Sequence, residues 1–168
     1  YWEEASWHMA YNAASSYLAD KKIRPAIRHQ LARDHVRRGI SILEEGLRFS
    51  PDAPKLWAEL GNIYARRGLD IIREQWDTLD AKQAAECYLR GFKNGALPVY
   101  ERFAAYEMLK TGDLDLAHTA YDILKRNYER SKGSPSLIEY LKLGEEKLEI
   151  PAARRISDLE PPSVSPRR

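Results

Sequence analysis

Four histidines, one cysteine and a run of cations are the side chains of this 168-residue chain with the most chemistry to offer. His8, His29, His35 and His118 are scattered, and no two form the His-x3-His or His-Glu-x2-His spacing that puts two imidazoles on one helical face for zinc. His8, His29 and His118 read as surface or groove residues and His35 as a partly buried helix residue. Cys87 is alone, so no intrachain disulfide can form and a thiolate metal site would lack its remaining ligands. Next to Tyr88 it reads as a small buried thiol rather than a nucleophile. Gly61, Gly68 and Gly91 are not spaced as a phosphate-cradling loop and suit helix contacts and turns instead. The expectation is a protein that is not an enzyme, with no catalytic residues, no metal and no cofactor.

The cations are more suggestive. Lys21, Lys22, Arg24, Arg28, Arg33, Arg37 and Arg38 are opposed only by Asp20 and Asp34, while Ile23, Ile27 and Leu31 keep a four-residue apolar spacing. Such a segment could meet anionic lipid headgroups, at on the order of 1 kcal/mol per cation near the surface. The plainer reading, a solvated helix face paired locally with acids such as Glu44 and Glu45, is preferred. Over the whole chain, 27 Lys and Arg stand against 25 Asp and Glu, a formal net charge of +2. That balance argues against a dedicated nucleic-acid binder. No apolar run approaches the roughly 20 residues needed to cross a bilayer.

The elements that carry these side chains read as helices throughout. Trp7, Ala10, Tyr11 and Ala14 recur at helical spacing in a segment over 1–17. Trp2, Trp7 and Tyr11 give that helix more apolar surface than an exposed arm would carry, so something upstream is expected to pack on it. Pro25 suits the first turn of a basic amphipathic helix beginning near Arg24. Val36, Ile40, Leu43 and Leu47 form an apolar stripe over 36–49, and 50–54 is a breaker. Trp57, Leu60 and Tyr64 then share one face of a helix opened by Pro54, with Gly61 allowing close approach and Gly68 ending it. Trp57, Tyr64, Tyr88 and Tyr121 are assigned to the core. Further helices are expected over 98–110, 116–130 and 136–148, the last with a wet face at Glu145, Glu146, Lys147 and Glu149. Beyond Pro151 the chain lacks the apolar content to pack well, so 151–168 is read as a flexible or lightly docked tail.

Trp57-x2-Leu60-Gly61-x2-Tyr64 resembles the first-helix signature of the tetratricopeptide repeat. The second-helix signature, small-x3-large, appears as Gly39-x3-Leu43-x2-Gly46, Ala84-x3-Tyr88-x2-Gly91 and Ala117-x3-Tyr121-x2-Leu124. Gly39, Ala84 and Ala117 lie 45 and 33 residues apart, against a repeat period of about 34. The excess places one insertion near 69–79, and the wide Trp7 to Trp57 interval places another near 19–33. Two insertions at the same place in consecutive repeats would land on one side of the array. The resemblance implies an all-α, right-handed superhelical stack of antiparallel helix hairpins over 1–150, about three repeats closed by a capping helix near 136–149.

The resemblance also implies a function. First helices of such repeats line a concave groove that holds a peptide or helix, so the expected activity is protein–protein interaction with an unidentified protein or peptide. By register, the groove residues would be His8, Asn12, Lys55, Ala58, Asn62, Arg66, Arg102, Tyr106 and Lys110. Asn12 and Asn62 occupy equivalent positions, where an amide could bond a ligand backbone in both directions. Glu59, Val99 and Phe103 depart from the carboxylate-clamp pattern of chaperone-binding members, which needs polar or basic residues there. The residues Trp2 to Asn12, followed by Glu44 to Pro51, look like a group of uncharacterised bacterial repeat proteins with a membrane-spanning segment upstream. That likeness implies a membrane-associated location through a segment before Tyr1, with a cytoplasmic location otherwise. A peripheral membrane scaffold using 21–38 and a homo-oligomerisation module through the N-terminal aromatic helix are the alternatives.

Overall fold

The computed structural model describes residues 1–65, 78–131 and 134–158, and among them it is all-helical, with no strand. The chain opens with one continuous helical path built of α1 (Trp2–Trp7), a π-helical stretch (His8–Ala13) and α2 (Ala14–Ala19). There follow α3 (Pro25–Phe49), α4 (Pro54–Tyr64), α5 (Thr78–Lys93), α6 (Val99–Lys110), α7 (Leu114–Ser131) and α8 (Pro135–Lys147). A 3-10 turn (Ala152–Arg154) leads into the last described residues.

The starts of these helices are written in proline. Pro25, Pro54 and Pro135 each stand in the first turn, where the missing N–H has no intrahelical partner to lose. At the other ends, Gly95 and Gly112 take positive φ, +101° and +77°, in the turns after α5 and α6. The basic helix and the helix over 36–49 are one element, α3, 25 residues long. Helix α4 ends at Tyr64 rather than at Gly68, which lies outside the described residues together with Arg66 and most of 69–79. Thr78 onward belongs to α5.

Each helix packs mainly on its neighbours in sequence, and two further contacts, α1 with α4 and α6 with α8, join alternate helices. Small residues set the spacing. Where the first helical path crosses α3, a Cβ on Gly39 would sit 2.8 Å from the Ala10 Cβ, and the Ser6 hydroxyl donates to the Gly39 carbonyl at 3.0 Å. Between α4 and α5, a Cβ on Gly61 would lie 2.6 Å from the Tyr88 ring. These contacts bring backbones together at a distance no larger residue would permit.

The core is therefore a chain of adjoining clusters. Leu43, Leu47, Leu56, Leu60, Ile63 and Cys87 fill the space between α3, α4 and α5. Tyr88, Ala84 and Ala104 continue it with Tyr100 and Phe103, and Tyr64 touches both clusters. Leu109, Leu124, Leu137 and Leu141 complete it from α6 to α8. Of the four aromatics assigned to the core, Tyr88 is fully buried, whereas Trp57, Tyr64 and Tyr121 are half-buried. The Trp57 indole N–H and the Tyr121 hydroxyl each keep a hydrogen-bond partner, as the polar ends of packed aromatic side chains require.

The wet face expected on the last helix is corrected at Glu145. It is fully buried, because residues 151–158 return over α8 and supply its donors. The Ile156 amide (2.6 Å), the Ser157 amide (3.2 Å), the Ser157 hydroxyl and the Tyr121 hydroxyl (3.3 Å) all bond its carboxylate. Ile156 adds an apolar contact to the core beneath. Residues 159–168 lie outside the described part.

Candidate functional site

Among the described residues, two recesses in the packed surface bring charged and aromatic side chains together. The larger, about 610 Å³, lies where α1 and the start of the π stretch face α4. It is lined by Glu3, Glu4, Trp7 and His8 from the first helical path and by Glu59 from α4. Trp7 is 50% exposed, and its ring leans on Tyr11 at a centroid distance of 6.3 Å. Glu59 is fixed from behind: its carboxylate accepts from the Asn62 amide at 3.0 Å, and the Asn62 carbonyl accepts from the buried Tyr88 hydroxyl at 2.9 Å.

This relay alters the role expected of Asn62. Both ends of its amide are engaged inside the protein, so it orients Glu59 and is not open in both directions to a ligand backbone. Asn12, its counterpart by register, stays exposed on the π stretch. His8 and Glu59 line the same recess, and Lys55 is exposed on the first turn of α4. Toward the other end of the stack, Tyr106 stacks on Tyr140 at 4.5 Å, the Lys110 ammonium lies 4.2 Å from the Tyr106 ring centroid, and Lys110 pairs with buried Glu107 at 2.7 Å. Arg102 is half-buried on α6. The register residues thus fall into two groups, one near α1 and α4 and one near α6 and α8.

The smaller recess, about 340 Å³, lies between α3, α4 and α5 and was not anticipated from the sequence. Its apolar floor includes Leu47, Leu60 and Cys87, and Glu44, Arg48, Glu86 and Arg90 are charged residues of its lining. The Trp57 indole donates to the Pro51 carbonyl at 2.6 Å, and the Arg90 guanidinium lies 4.8 Å from the Trp57 ring centroid. Burial pushes the Cys87 thiol up from 9.0 to about 12, against the opposing pull of Arg90, with Glu86 and Glu44 adding to the rise. A thiol so held is protonated at neutral pH and is a poor nucleophile and a poor metal ligand. Among the described residues, no three His, Cys, Asp or Glu side chains converge as a metal site.

In the basic segment, three of the seven cations have hydrogen-bond partners within the chain. Arg28 donates to the Leu18 carbonyl at 3.2 Å, Arg33 to Gln30 at 2.9 Å and Arg37 to Asp34 at 3.2 Å. Lys21, Lys22, Arg24 and Arg38 are exposed. No described helix is long and apolar enough to cross a membrane.

Glu3, Glu4 and Trp7 are the site residues that sequence reasoning missed. Their signal was present, since Glu3 and Glu4 precede Trp7 by four and three residues and so share its helical face. In the sequence alone Trp7 reads as a packing residue, and that reading hides the pattern. Comparison with protein-family models, with curated proteins and with solved structures finds no match to this chain.

Proposed function

We propose that this chain is a tetratricopeptide-like scaffold that holds a peptide or helix of another protein in a groove lined by alternate helices, without catalysing a reaction. The observation that supports this most directly is the recess between α1 and α4, with an exposed tryptophan and polar side chains fixed from behind. Recognition sites of this kind combine an aromatic anchor with a few positioned polar groups. The close passages at Gly39, against Ala10, and at Gly61, against the Tyr88 ring, support the hairpin stack that such a groove requires. The groove reading is preferred over a lipid-facing role for 21–38, because Arg28, Arg33 and Arg37 have partners within the protein.

The test is selection of 12-residue peptides from a displayed library on the intact chain, with each selected peptide then measured on a triple variant, His8→Ala, Asn12→Ala and Lys55→Ala. These three side chains are exposed, so the variant retains the fold. Groove binding is expected to weaken by about tenfold or more, the scale of about 1.4 kcal/mol spread over three contacts. Selected peptides that bind parent and variant equally would overturn the reading.

A further inference from the structure

We infer that the recess between α1 and α4 takes a cationic side chain, and that the partner segment it holds is an extended peptide carrying arginine or lysine. The inference rests on the groove reading above and goes beyond it by giving the chemistry of the ligand. Its basis is a segregation of charge. In a chain of net charge +2, the described residues that line the recess include three carboxylates, Glu3, Glu4 and Glu59, and among these described residues there is no lysine or arginine. An indole stands among them, half exposed. Carboxylates attract a cation over the whole recess, and the face of a tryptophan ring is the strongest of the aromatic surfaces for one.

Glu59 makes the site more than a set of surface acids. The Tyr88–Asn62–Glu59 relay runs from a fully buried hydroxyl outward, so this carboxylate is held in place before a ligand arrives. A pre-positioned acceptor loses less entropy on binding than a free side chain does. The volume, about 610 Å³, suits a few side chains and the backbone between them rather than a folded domain. A bare metal ion is a poor fit, because the three carboxylates do not converge. Arginine is favoured over lysine, since a planar guanidinium can lie on the indole and still bond a carboxylate along its edge.

The occupant is assigned to a partner protein. The other basic source, the 21–38 segment of a second copy, has three of its seven cations engaged within its own chain.

The test uses three fluorescein-labelled 12-residue probes, alternating alanine with arginine, glutamine or glutamate, titrated into the intact protein and followed by anisotropy at low and moderate salt. The arginine probe is expected to bind and to weaken as salt is raised, and the other two are expected not to bind. The pair Glu4→Gln with Glu59→Gln should weaken binding about tenfold and Trp7→Leu about three- to fivefold. The control pair Asp122→Asn with Glu129→Gln, exposed on α7, should leave it within about twofold. Equal binding of the glutamine probe, equal loss in the control pair, or no binding of the arginine probe would overturn the inference. If library peptides depend on the groove but show no excess of arginine or lysine, this inference fails while the groove reading stands. If none depends on the groove, the groove reading itself falls. Self-association that the arginine probe dissolves would assign the recess to a second copy and overturn the partner assignment.

Discussion

At the scale of single residues, burial decides what Cys87 can do. Its thiol sits on the apolar floor of the smaller recess and is pushed up to about 12, so a disulfide-exchange reagent at pH 8 is expected to label it far more slowly in the folded protein than after denaturation. The same shift has a consequence for stability. The folded state keeps a proton that the unfolded thiol gives up near 9.0, so this contribution is fully present below about pH 9, declines above it and is gone near pH 12. Tyr64 and Tyr121, both raised to about 12 chiefly by burial, act in the same direction from about pH 10 upward. Thermal melts between pH 8 and 11 should therefore show falling Tm. Cys87→Ala should flatten the first part of that decline, and an unchanged slope would remove the thiol as a cause. Cysteine's burial was legible from its place beside Tyr88 on a helical stripe. Arg90, three residues further along the same helix, was legible as its neighbour too, whereas Glu44 was not, since it comes from α3 and reaches the thiol only in the folded chain.

At the scale of elements, the close passages between helices carry the architecture. A methyl group added at Gly61 meets the Tyr88 ring at 2.6 Å. That ring is fully buried, stacked near Tyr100 and Phe103 and hydrogen-bonded to Asn62, so it has nowhere to move. Gly61→Ala is accordingly expected to destabilise by about 1–3 kcal/mol despite alanine's better helix propensity. Chemical denaturation would read this as a lower midpoint at unchanged slope, and an unchanged midpoint would contradict the packing argument. The spacing of Gly61 from Trp57 and Tyr64 made this passage visible in the sequence. The helix starts were equally visible at Pro54 and Pro135. The π stretch over His8–Ala13 was not, because an added backbone residue per turn has no compositional mark there. Nor was the burial of Glu145, which depends on donors eleven and twelve residues further along the chain.

At the scale of the whole molecule, the stack has two unlike ends. Tyr1 is 91% and Phe49 74% exposed at the first hairpin, with Trp2 stacked against Phe49 at 6.1 Å. The far end is covered by the chain's own return over α8. The covering depends on Glu145, and replacing it with alanine leaves two backbone amides and two hydroxyls without their acceptor. A loss of about 1.5–3 kcal/mol is expected for bonds to a charged acceptor. Trypsin should then cut at Arg154 and Arg155 well before it cuts elsewhere. Resistance equal to that of the parent chain would show that Ile156 packing and the Arg155 bond to the Ile150 carbonyl hold the segment without it. The peptide selection and the probe titrations belong to this scale too, since both ask whether side chains from non-adjacent helices act together.

The returning strand of residues over α8 has one more implication, for anyone lengthening the protein. A helical hairpin spliced after Lys147 would compete with Ile156 and Ser157 for the same ledge and would have to offer Glu145 replacement donors, or strand a carboxylate in oil. A graft that keeps residues 148–158 in place avoids that conflict but cannot dock on α8. Adding helices in that direction therefore begins with chemistry at a single acid, not with the shape of the incoming hairpin.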